Sequence, residues 1–499
     1  MKRQIITIAA LLAASASAFA GGILTNTNQS ISFLRQPAQN AVISVNSAYY
    51  NPAGVGFLPN GWQLSLGVQN VHQTREIEST FAPFALDVDN AGKGSKLYTG
   101  KTSVPALPAF DLTYVNDRFF GSMHFGVIGG GGSCDFSSGL GSFEGNIAMI
   151  PAVVNKLAGG NVLGYDVDCD LVGTQFFVGG QLNLGYRITD NLAVSAGVRG
   201  YYVYGHNEGG LRNIQLSYGG TTGPAATVLG GVLAGMGMSV DPAMLGALFA
   251  DKEVNVKQTG WALNPILSVD YKVGSLNLAA KYEFNTSIRL KNDTKVNTTG
   301  IAQYDDGKKG IGNDMPAILS LGAEYGFTDA FRVNLGLNYY FDKNAKIYNG
   351  ATDANDKAKL IDSNTYEVLA GVEYDINDKF TVSAGGHCTR YGMGKGQEFS
   401  SDSGFYIPSW STGAGFRYNL NERLSFDFAA YSTWYSHDTK EMADFNNAGS
   451  KLYASLAQVP ALKAVMDASG ITAESLGTPG SDRYFRKSLV LGIGVNYRF

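Results

Sequence analysis

The sequence lacks long hydrophobic runs, abundant charge and closely spaced cysteines, and each absence excludes a class of protein. Beyond the first twenty residues, no apolar run approaches the roughly 20 residues that a membrane-spanning helix needs. Only 16% of the residues are charged and the formal net charge is −4, so the composition gives no reason to expect a nucleic acid partner. The three cysteines show no CxxC spacing, so no zinc or redox site is predicted.

Glycine and aromatic residues are abundant instead. The chain contains 63 glycines, 27 tyrosines and 27 phenylalanines, a composition that suits a membrane barrel better than a soluble enzyme. Near the end of the chain, Leu489, Leu491 and Ile493 alternate with small or polar side chains, and the last residue is Phe499. This period of two indicates a strand with one apolar face. A C-terminal aromatic residue is typical of bacterial outer-membrane β-barrels.

The first twenty residues have the pattern of a secretory signal peptide. Lys2 and Arg3 precede an apolar run over 5–14, and Ala18–Ala20 has the small–x–small pattern of a cleavage site. We therefore predict that residues 1–20 are removed on export. The predicted location is the outer membrane of a Gram-negative bacterium.

Fourteen candidate strands follow, joined alternately by very short Asn- and Asp-rich turns and by long irregular connections. Short turns on one side and long loops on the other are the asymmetry of an outer-membrane barrel, in which an even strand count is expected. The sequence therefore predicts an all-β fold, a transmembrane antiparallel β-barrel of fourteen strands over 62–499. The strands are predicted at 62–77, 105–116, 119–134, 172–189, 192–214, 255–273, 276–296, 313–328, 331–349, 365–376, 380–393, 403–420, 424–441 and 482–499.

Residues 21–61 fit neither a strand nor a helix pattern for long, and we predict that they form a plug domain in the lumen. A barrel of this size is too wide for its own side chains to fill, so its lumen must be open or plugged. The alternative is a disordered periplasmic tail, but the segment carries too many large apolar side chains for that. They are Ile31, Phe33, Leu34, Val42, Ile43, Tyr49, Tyr50 and Phe57.

This segment contains the triplet Asn51-Pro52-Ala53, in which the proline restricts the asparagine to extended conformations and favours a rigid turn. The signal peptide, the short N-terminal domain with this triplet, the fourteen strands and the terminal Phe together resemble the FadL family, transporters of long-chain fatty acids and other hydrophobic compounds. The resemblance implies that the N-terminal domain plugs the lumen, with the triplet as a gating element. It also implies that ligands leave sideways through a gap beside a kinked third strand.

The third predicted strand contains four consecutive glycines, Gly129, Gly130, Gly131 and Gly132. Glycine inside a strand usually marks a bend or a bulge. We expect these four residues to form the kink of a lateral exit. The alternative is a flexible strand end that enters the second external loop.

Three external loops contain apolar residues at helical spacing. In the third loop, Asp241-Pro242 has the pattern of a helix start. The second and last loops contain similar stripes, including Ile150 and Leu452. An apolar surface at a pore mouth suits the capture of an alkyl chain, although the stripes could equally serve only to pack helices onto the barrel rim. The expected capture residues are Leu229, Leu233, Met236, Leu245, Leu248 and Phe249.

Cysteines and histidines give weaker signals. Cys134 and Cys169 lie at opposite ends of one predicted external loop, so a disulfide that closes the loop is one interpretation and isolated small residues are the other. No catalytic residues, metal site or cofactor are predicted. The histidines are scattered over different strands, and no spacing demands a serine–histidine site. They are His72, His124, His206, His387 and His437.

The predicted function is outer-membrane uptake of hydrophobic small molecules, of the long-chain fatty acid class, by passive and plug-gated transport with lateral release through the wall. The protein is expected to be a monomer that contacts outer-membrane lipid and lipopolysaccharide. The alternatives are a porin for polar solutes, a structural or adhesive barrel and, last, an outer-membrane enzyme. The residues identify neither the ligand nor a basic partner for a carboxylate.

Overall fold

A computed structural model describes residues 22–90, 92–158, 162–346, 360–393 and 401–499. Within these ranges the chain forms a closed antiparallel barrel of fourteen strands, three of which are each interrupted once. The signal peptide predicted at 1–20 lies outside the described residues. The strands are β1 Gly61–Phe81, β2 Ser95–Asn116, β3 Phe119–Phe136, β4 Val162–Arg187, β5 Leu192–Tyr218, β6 Lys252–Val273, β7 Leu276–Glu283 with Arg289–Asn297, β8 Lys309–Gly312 with Ile318–Gly326, β9 Phe331–Tyr340, β10 Thr365–Asn377, β11 Phe380–Arg390, β12 Ser409–Asn419, β13 Leu424–Tyr435 with Asp438–Met442, and β14 Gly480–Arg498.

The first and last strands close the wall. They pair without interruption from Gln63 opposite Arg498 to Phe81 opposite Gly480. The predicted count of fourteen strands is confirmed. Several predicted boundaries are wrong. For example, the strand predicted at 331–349 ends at Tyr340, where the chain turns, and part of the remainder lies outside the described residues.

The strand predicted at 403–420 begins only at Ser409. The residue before it is Pro408, which has no N–H to donate to a ladder, and this explains the late start. The strand predicted at 380–393 likewise ends at Arg390. Strand ends are poorly encoded because alternation continues into loops that pack against the barrel.

The outside of the wall is apolar. On β14, Leu489, Leu491 and Ile493 are 45–51% exposed, whereas the inward Val490 is 4% exposed. Large exposed apolar side chains recur on the other strands, as a lipid-facing wall requires. Among the described residues, no helix is both long enough and apolar enough to cross a membrane.

Eight α-helices accompany the barrel in the described residues, two before the first strand and six in the long loops. We call the end of the barrel that carries these long loops the loop end, and the opposite end the turn end. The helices are α1 Ile31–Arg35, α2 Ser47–Tyr50, α3 Gly141–Ala158, α4 Ala225–Gly235, α5 Pro242–Leu248, α6 Ala448–Leu456, α7 Pro460–Ala468 and α8 Ala473–Leu476.

Residues 22–60, which we call the inner segment, pack against the inward faces of the strands. Almost every residue from 22 to 56 is buried. Wall glycines leave room for the segment: a Cβ added at Gly371 would lie 2.2 Å from Oε1 of Gln36, and one at Gly413 would lie 2.0 Å from the carbonyl oxygen of Leu34. These contacts place the segment inside the barrel and explain part of the high glycine content.

Two large apolar clusters occupy the interior of the described barrel, and a small third one surrounds Ala53 and Val55 at the turn end. The cap cluster joins the loop helices to the loop end of the barrel, and the lumen cluster joins the inner segment to the middle of the wall. The cap cluster includes Ile77, Phe81, Phe136, Ile150, Leu229, Leu233, Tyr435, Phe445, Leu452 and Tyr484. The lumen cluster includes Leu24, Ile31, Phe33, Leu34, Tyr49, Val71, Ile128, Phe177, Tyr406, Tyr431 and Val490.

Candidate ligand-transport site

Helices from three different loops converge in one apolar cleft. The cavity between them measures about 20 Å³, which is close to the space that one water molecule needs. The cleft is therefore too small, as it stands, to hold an alkyl chain or an aromatic ring. It is lined by Ile150, Val153 and Val154 from α3, Leu229, Val232, Leu233 and Met236 from α4 and its end, and Leu452, Leu456 and Leu462 from α6 and α7.

The expected capture residues divide into two groups. Leu229, Leu233 and Met236 line the cleft, and Met236 is 40% exposed. The other three, Leu245, Leu248 and Phe249, pack within or against the cap cluster and do not line the cleft. The second group packs the loop helices, and capture stays a prediction for all six residues.

The four glycines of β3 lie at a double irregularity of the wall. The register between β3 and β4 shifts between Val127 and Gly129, and again between Gly129 and Gly132. Gly130 has a φ of +90°, and a Cβ there would lie 2.4 Å from the carbonyl oxygen of Gln175. Only glycine fits this backbone. The structure therefore has a bulge where the sequence predicted a kink.

The bulge coincides with a gap between β2 and β3. These strands pair from Asn116 opposite Phe119 up to Phe110 opposite Phe125, and their ladder resumes only at Lys101 opposite Asp135. Two prolines of β2, at 105 and 108, lie in the unpaired stretch. Because proline cannot donate to a ladder, it helps to keep this part of the wall unzipped.

The inner segment pairs with β3 at the place where β3 does not pair with β2. Thr25 forms an antiparallel bridge with Gly129. The amide of Asn26 donates to the carbonyl of Ile128 at 3.0 Å, and the amide of Gly130 donates to the carbonyl of Leu24 at 2.9 Å. The start of the inner segment thus pairs with backbone groups of β3 beside the bulge, where the ladder to β2 is interrupted.

The Asn51-Pro52-Ala53 triplet lies at the turn end of the lumen, away from the kink. The side chain of Asn51 donates to the carboxylate of Asp270, and the amide of Ala53 donates to Oγ of Ser268 at 2.9 Å. Pro52 begins a short 3-10 helix that ends at Phe57. The triplet is therefore fastened to β6, and any gating movement there would have to break these bonds.

Ion pairs hold the middle of the inner segment. The guanidinium of Arg35 donates to the carboxylates of Asp427 on β13 and Glu373 on β10, at 2.5 and 2.6 Å. The same two carboxylates pair with wall arginines, Arg417 at 3.0 Å and Arg332 at 2.7 Å. Every charge in this group has an opposite partner, as burial in the lumen requires.

A second polar contact fastens α2. The ring of Tyr49 contacts two cations, the guanidinium carbon of Arg199 at 4.7 Å and Nζ of Lys281 at 4.6 Å from its centroid. Both cations pair with Glu283, and Nζ of Lys281 also donates to the carbonyl of Tyr49 at 2.9 Å. Cation–π contacts and ion pairs thus reinforce each other here.

The expected disulfide is wrong, because Cys134 and Cys169 are both free. Cys134 on β3 lies opposite Gly173 on β4. Cys169 is four residues further along that strand, roughly 13 Å away at the usual rise per residue. A disulfide needs Cα atoms within about 7 Å. The register of two strands decides this pairing, and the loop length between the cysteines does not.

The histidines contact structural partners. Nδ1 of His124 lies 2.8 Å from Asp111 and its Nε2 lies 3.2 Å from Gln29, which belongs to the inner segment. His387 lies 3.1 Å from the hydroxyl of Tyr431. In the part of the chain that the structure describes, no histidine is hydrogen-bonded to a serine. Within the same ranges, no three His, Cys, Asp or Glu side chains are grouped so as to hold a metal ion.

Comparison with solved structures identifies the architecture. A Pseudomonas aeruginosa FadL homologue aligns with a TM-score of 0.63 over 96% of this chain and 100% of its own, at 14% identity. The toluene transporter TbuX of Ralstonia pickettii aligns at 0.53 over 94% and 98%, at 15% identity. The P. putida toluene transporter TodX aligns at 0.52 over 92% and 95%, at 13% identity. The chain has the FadL fold. No family sequence model and no curated protein sequence matches it.

Two features of this FadL fold escaped the sequence reasoning. The first is the gap beside β2, which Pro105 and Pro108 indicate in the sequence. A proline inside a strand pattern is typical of a strand that lacks a partner on one side, so the gap could have been inferred. The ionic group around Arg35 had no such signal. Its members come from distant parts of the chain, and no local pattern links them.

Proposed function

We propose that the protein takes up hydrophobic small molecules across the outer membrane by passive movement. The loop helices capture the ligand, the inner segment plugs the lumen, and the ligand leaves sideways into the membrane between β2 and β3. The observation that carries this proposal is the break in pairing between these strands, from Phe110 to Lys101 on β2. Neither a porin nor an adhesin requires a break in the strand pairing of its wall.

The driving force is the transfer of apolar surface out of water. Each buried methylene gains roughly 0.8 kcal/mol, so an alkyl chain moves readily from one apolar site to the next. The cap cluster, the lumen cluster and the lipid outside the gap supply three such sites in sequence. The route needs neither an energy source nor a cofactor.

The ligand class is the finer part of the proposal. The sequence resemblance favours long-chain fatty acids, while two proteins of the same fold bear the name toluene transporter. Both kinds of molecule suit a cleft lined only by apolar side chains. We propose a monomer in contact with outer-membrane lipid and lipopolysaccharide, exported through a cleaved signal peptide.

The porin alternative rests on opposed charges in the lumen, and such charges are present around Arg35. They pair with one another across the inner segment, however, and so they support a plugged lumen. No contact among the described residues favours an adhesin, whose loops would present surface to a partner instead of packing over the barrel mouth.

The experiment is uptake by a host whose own hydrophobic-compound transporters have been deleted. Expression of the full chain should raise uptake of labelled hexadecanoate or toluene and leave the entry of sugars unchanged. Leu233→Asp, which buries a charge in the cleft, should abolish the gain, whereas Leu420→Asp at an exposed position near the turn end should keep it. Entry of sugars without hydrophobic compounds would favour the porin instead.

Solvent extraction adds a direct identification. An organic extract of the purified protein, examined by mass spectrometry, should contain an apolar compound that an extract of detergent alone lacks. A protein that binds hydrophobic ligands in a closed lumen is expected to retain one.

A further inference from the structure

Arg486 is a buried arginine whose charge has no partner among the described residues. Its side chain points inward from β14 and is 8% exposed. Neither Nε nor Nη2 has a hydrogen-bond partner, and no described carboxylate lies within 4.0 Å of the guanidinium. Its Cζ lies 4.7 Å from the centroid of the Tyr435 ring. A buried charge of this kind is costly, so it calls for an explanation.

The two unpartnered nitrogens form one edge of the guanidinium. Two parallel N–H groups on such an edge match the two oxygens of a carboxylate. The chain itself provides the comparison: the corresponding edge of Arg417 holds Asp427 with two hydrogen bonds of 3.0 Å, from Nε and from Nη2. On Arg486 neither nitrogen of this edge has a hydrogen-bond partner among the residues that the structure describes.

A second arginine raises the local positive potential. Arg75 on β1 lies directly opposite Arg486 across the seam that closes the barrel, and it is 2% exposed. Like charges directly opposite on neighbouring strands repel. An anion between them would relieve the repulsion.

The position of this pair lies on the proposed route. Along β1, Val71 belongs to the lumen cluster and Ile77 to the cap cluster, and Arg75 lies between them. Along β14, Val490 and Tyr484 bracket Arg486 in the same way. A polar belt therefore separates two apolar regions, each able to take an alkyl chain.

We propose that Arg486, with Arg75 beside it, binds the carboxylate of an amphiphilic ligand whose alkyl chain lies in the adjoining apolar clusters. This inference rests on the proposed uptake function and assigns the charged end of the ligand to named residues. It implies a preference for a monocarboxylate over a neutral molecule of the same chain length.

The test compares dodecanoate with dodecan-1-ol as ligands of the purified full chain in a nonionic detergent at pH 8. Partition of each ligand into detergent is the same for every variant, so differences between variants isolate the protein. Arg486→Gln should weaken dodecanoate binding by about 10- to 100-fold, the effect of losing a bidentate charged pair, and should leave dodecanol binding unchanged. Arg486→Lys should show an intermediate loss, because one ammonium cannot form the double contact.

Arg483→Gln is the matched control. Arg483 lies on the same strand but faces outward with a half-exposed side chain, so its removal should change neither affinity. A thermal melt without ligand adds an independent readout. Because Arg486→Gln removes an unpaired buried charge, that variant should be at least as stable as the wild type.

Three outcomes would overturn the anion site: equal losses for dodecanoate and dodecanol in Arg486→Gln, no loss for either, or a destabilised unliganded variant. Uptake of dodecanol by the wild type together with any of these would leave the transport proposal standing. If the wild type neither binds nor takes up either molecule, both proposals fail.

Discussion

The cap and the inner segment close the same barrel by different forces. The loop helices meet in a cleft whose lining is entirely apolar. The inner segment is held by directional polar contacts, such as Arg35 with Asp427 and Asn51 with Asp270. Apolar contact has no preferred direction, whereas a hydrogen bond weakens steeply when its geometry is lost. The packing of the cap therefore tolerates small shifts of its helices, while the inner segment has one defined position.

This difference matches what each region would have to do. A capture surface that meets varied molecules gains from adaptable packing. A plug must exclude water and solutes until a ligand arrives, so it gains from contacts that break together. The polar belt at Arg486 lies between the cap cluster and the lumen cluster.

The largest effect should follow from removing one of the two regions altogether. Deletion of 22–58 should leave a folded barrel with an aqueous channel, because wall side chains cannot fill a lumen of this width. Single-channel recording in planar bilayers should show a steady conductance that the full chain lacks. Leu233→Ala, which alters only the cap, should stay closed. Unchanged conductance in the deletion variant would contradict the plug.

The second-largest effect should follow from loss of the ion pairs that Arg35 forms with Asp427 and Glu373. Arg35→Ala leaves Asp427 and Glu373 with fewer cationic partners inside the barrel, and breaking a buried pair costs about 3–5 kcal/mol. We expect flickering conductance in bilayers and a lower free energy of unfolding in denaturant titration. The control is Arg423→Ala at an exposed turn, which should be silent. Equal conductance and equal unfolding free energy in the two variants would mean that the ion pairs of Arg35 do not hold the inner segment.

A cavity in the cap should lower the free energy of unfolding by less, because the loop helices can shift to fill part of it. Leu233→Ala is expected to destabilise the cap by about 2–3 kcal/mol, the low end for a buried leucine. Hydrogen exchange should speed up in α3, α4 and α6 while the inner segment stays protected. Met236→Ala at the exposed edge of the cleft should change exchange much less. Faster exchange throughout the inner segment would mean that the two regions are one unit.

The kink should respond to a single methyl group. Gly130→Ala forces a left-handed backbone conformation on an alanine, at a cost of about 1–2 kcal/mol, and its Cβ would clash with Gln175. Uptake of hydrophobic compounds should fall although the barrel still folds, as judged by heat-modifiable mobility on gels. Gly121→Ala on the same strand is the control, since its nearest neighbours would lie 3.5 Å away. Equal uptake by both variants would mean that the bulge at Gly130 is not needed for release of the ligand.

The smallest expected effect concerns pH at the cap. Burial lowers the pKa of Lys451 on α6 from 10.5 to about 8, against the opposing influence of Asp402 and Asp444. Between about pH 8 and 10.5 the unfolded chain therefore binds more protons than the folded one, so cap stability rises with pH across this window and carries the full penalty below it. Lys451→Met should protect α6 from proteolysis at pH 7 and confer no advantage above pH 10.5. Lys463→Met, at an exposed ion pair with Asp467, should give no protection at either pH.

Much of the fold was predictable because its signals are local. Alternation along β14 and the short turns between strands reveal wall segments one at a time, and the count of fourteen follows. The helix start at Asp241 was also readable, since Asp241 caps α5 through the amide of Ala243. The disulfide between Cys134 and Cys169 failed because it depends on strand register, which loop length does not encode.

The sequence by itself determined which residues face lipid, which segment precedes the barrel and which loops form helices, because each of these depends on periodicity within a few residues. Only the tertiary structure decided that Arg75 lies opposite Arg486 and that Arg35 contacts two distant strands. It also decided that part of β3 pairs with the inner segment where it does not pair with β2. The physical reason is closure. Hydrogen bonding of the last strand to the first sets the register between residues from opposite ends of the chain, and no local pattern carries that information.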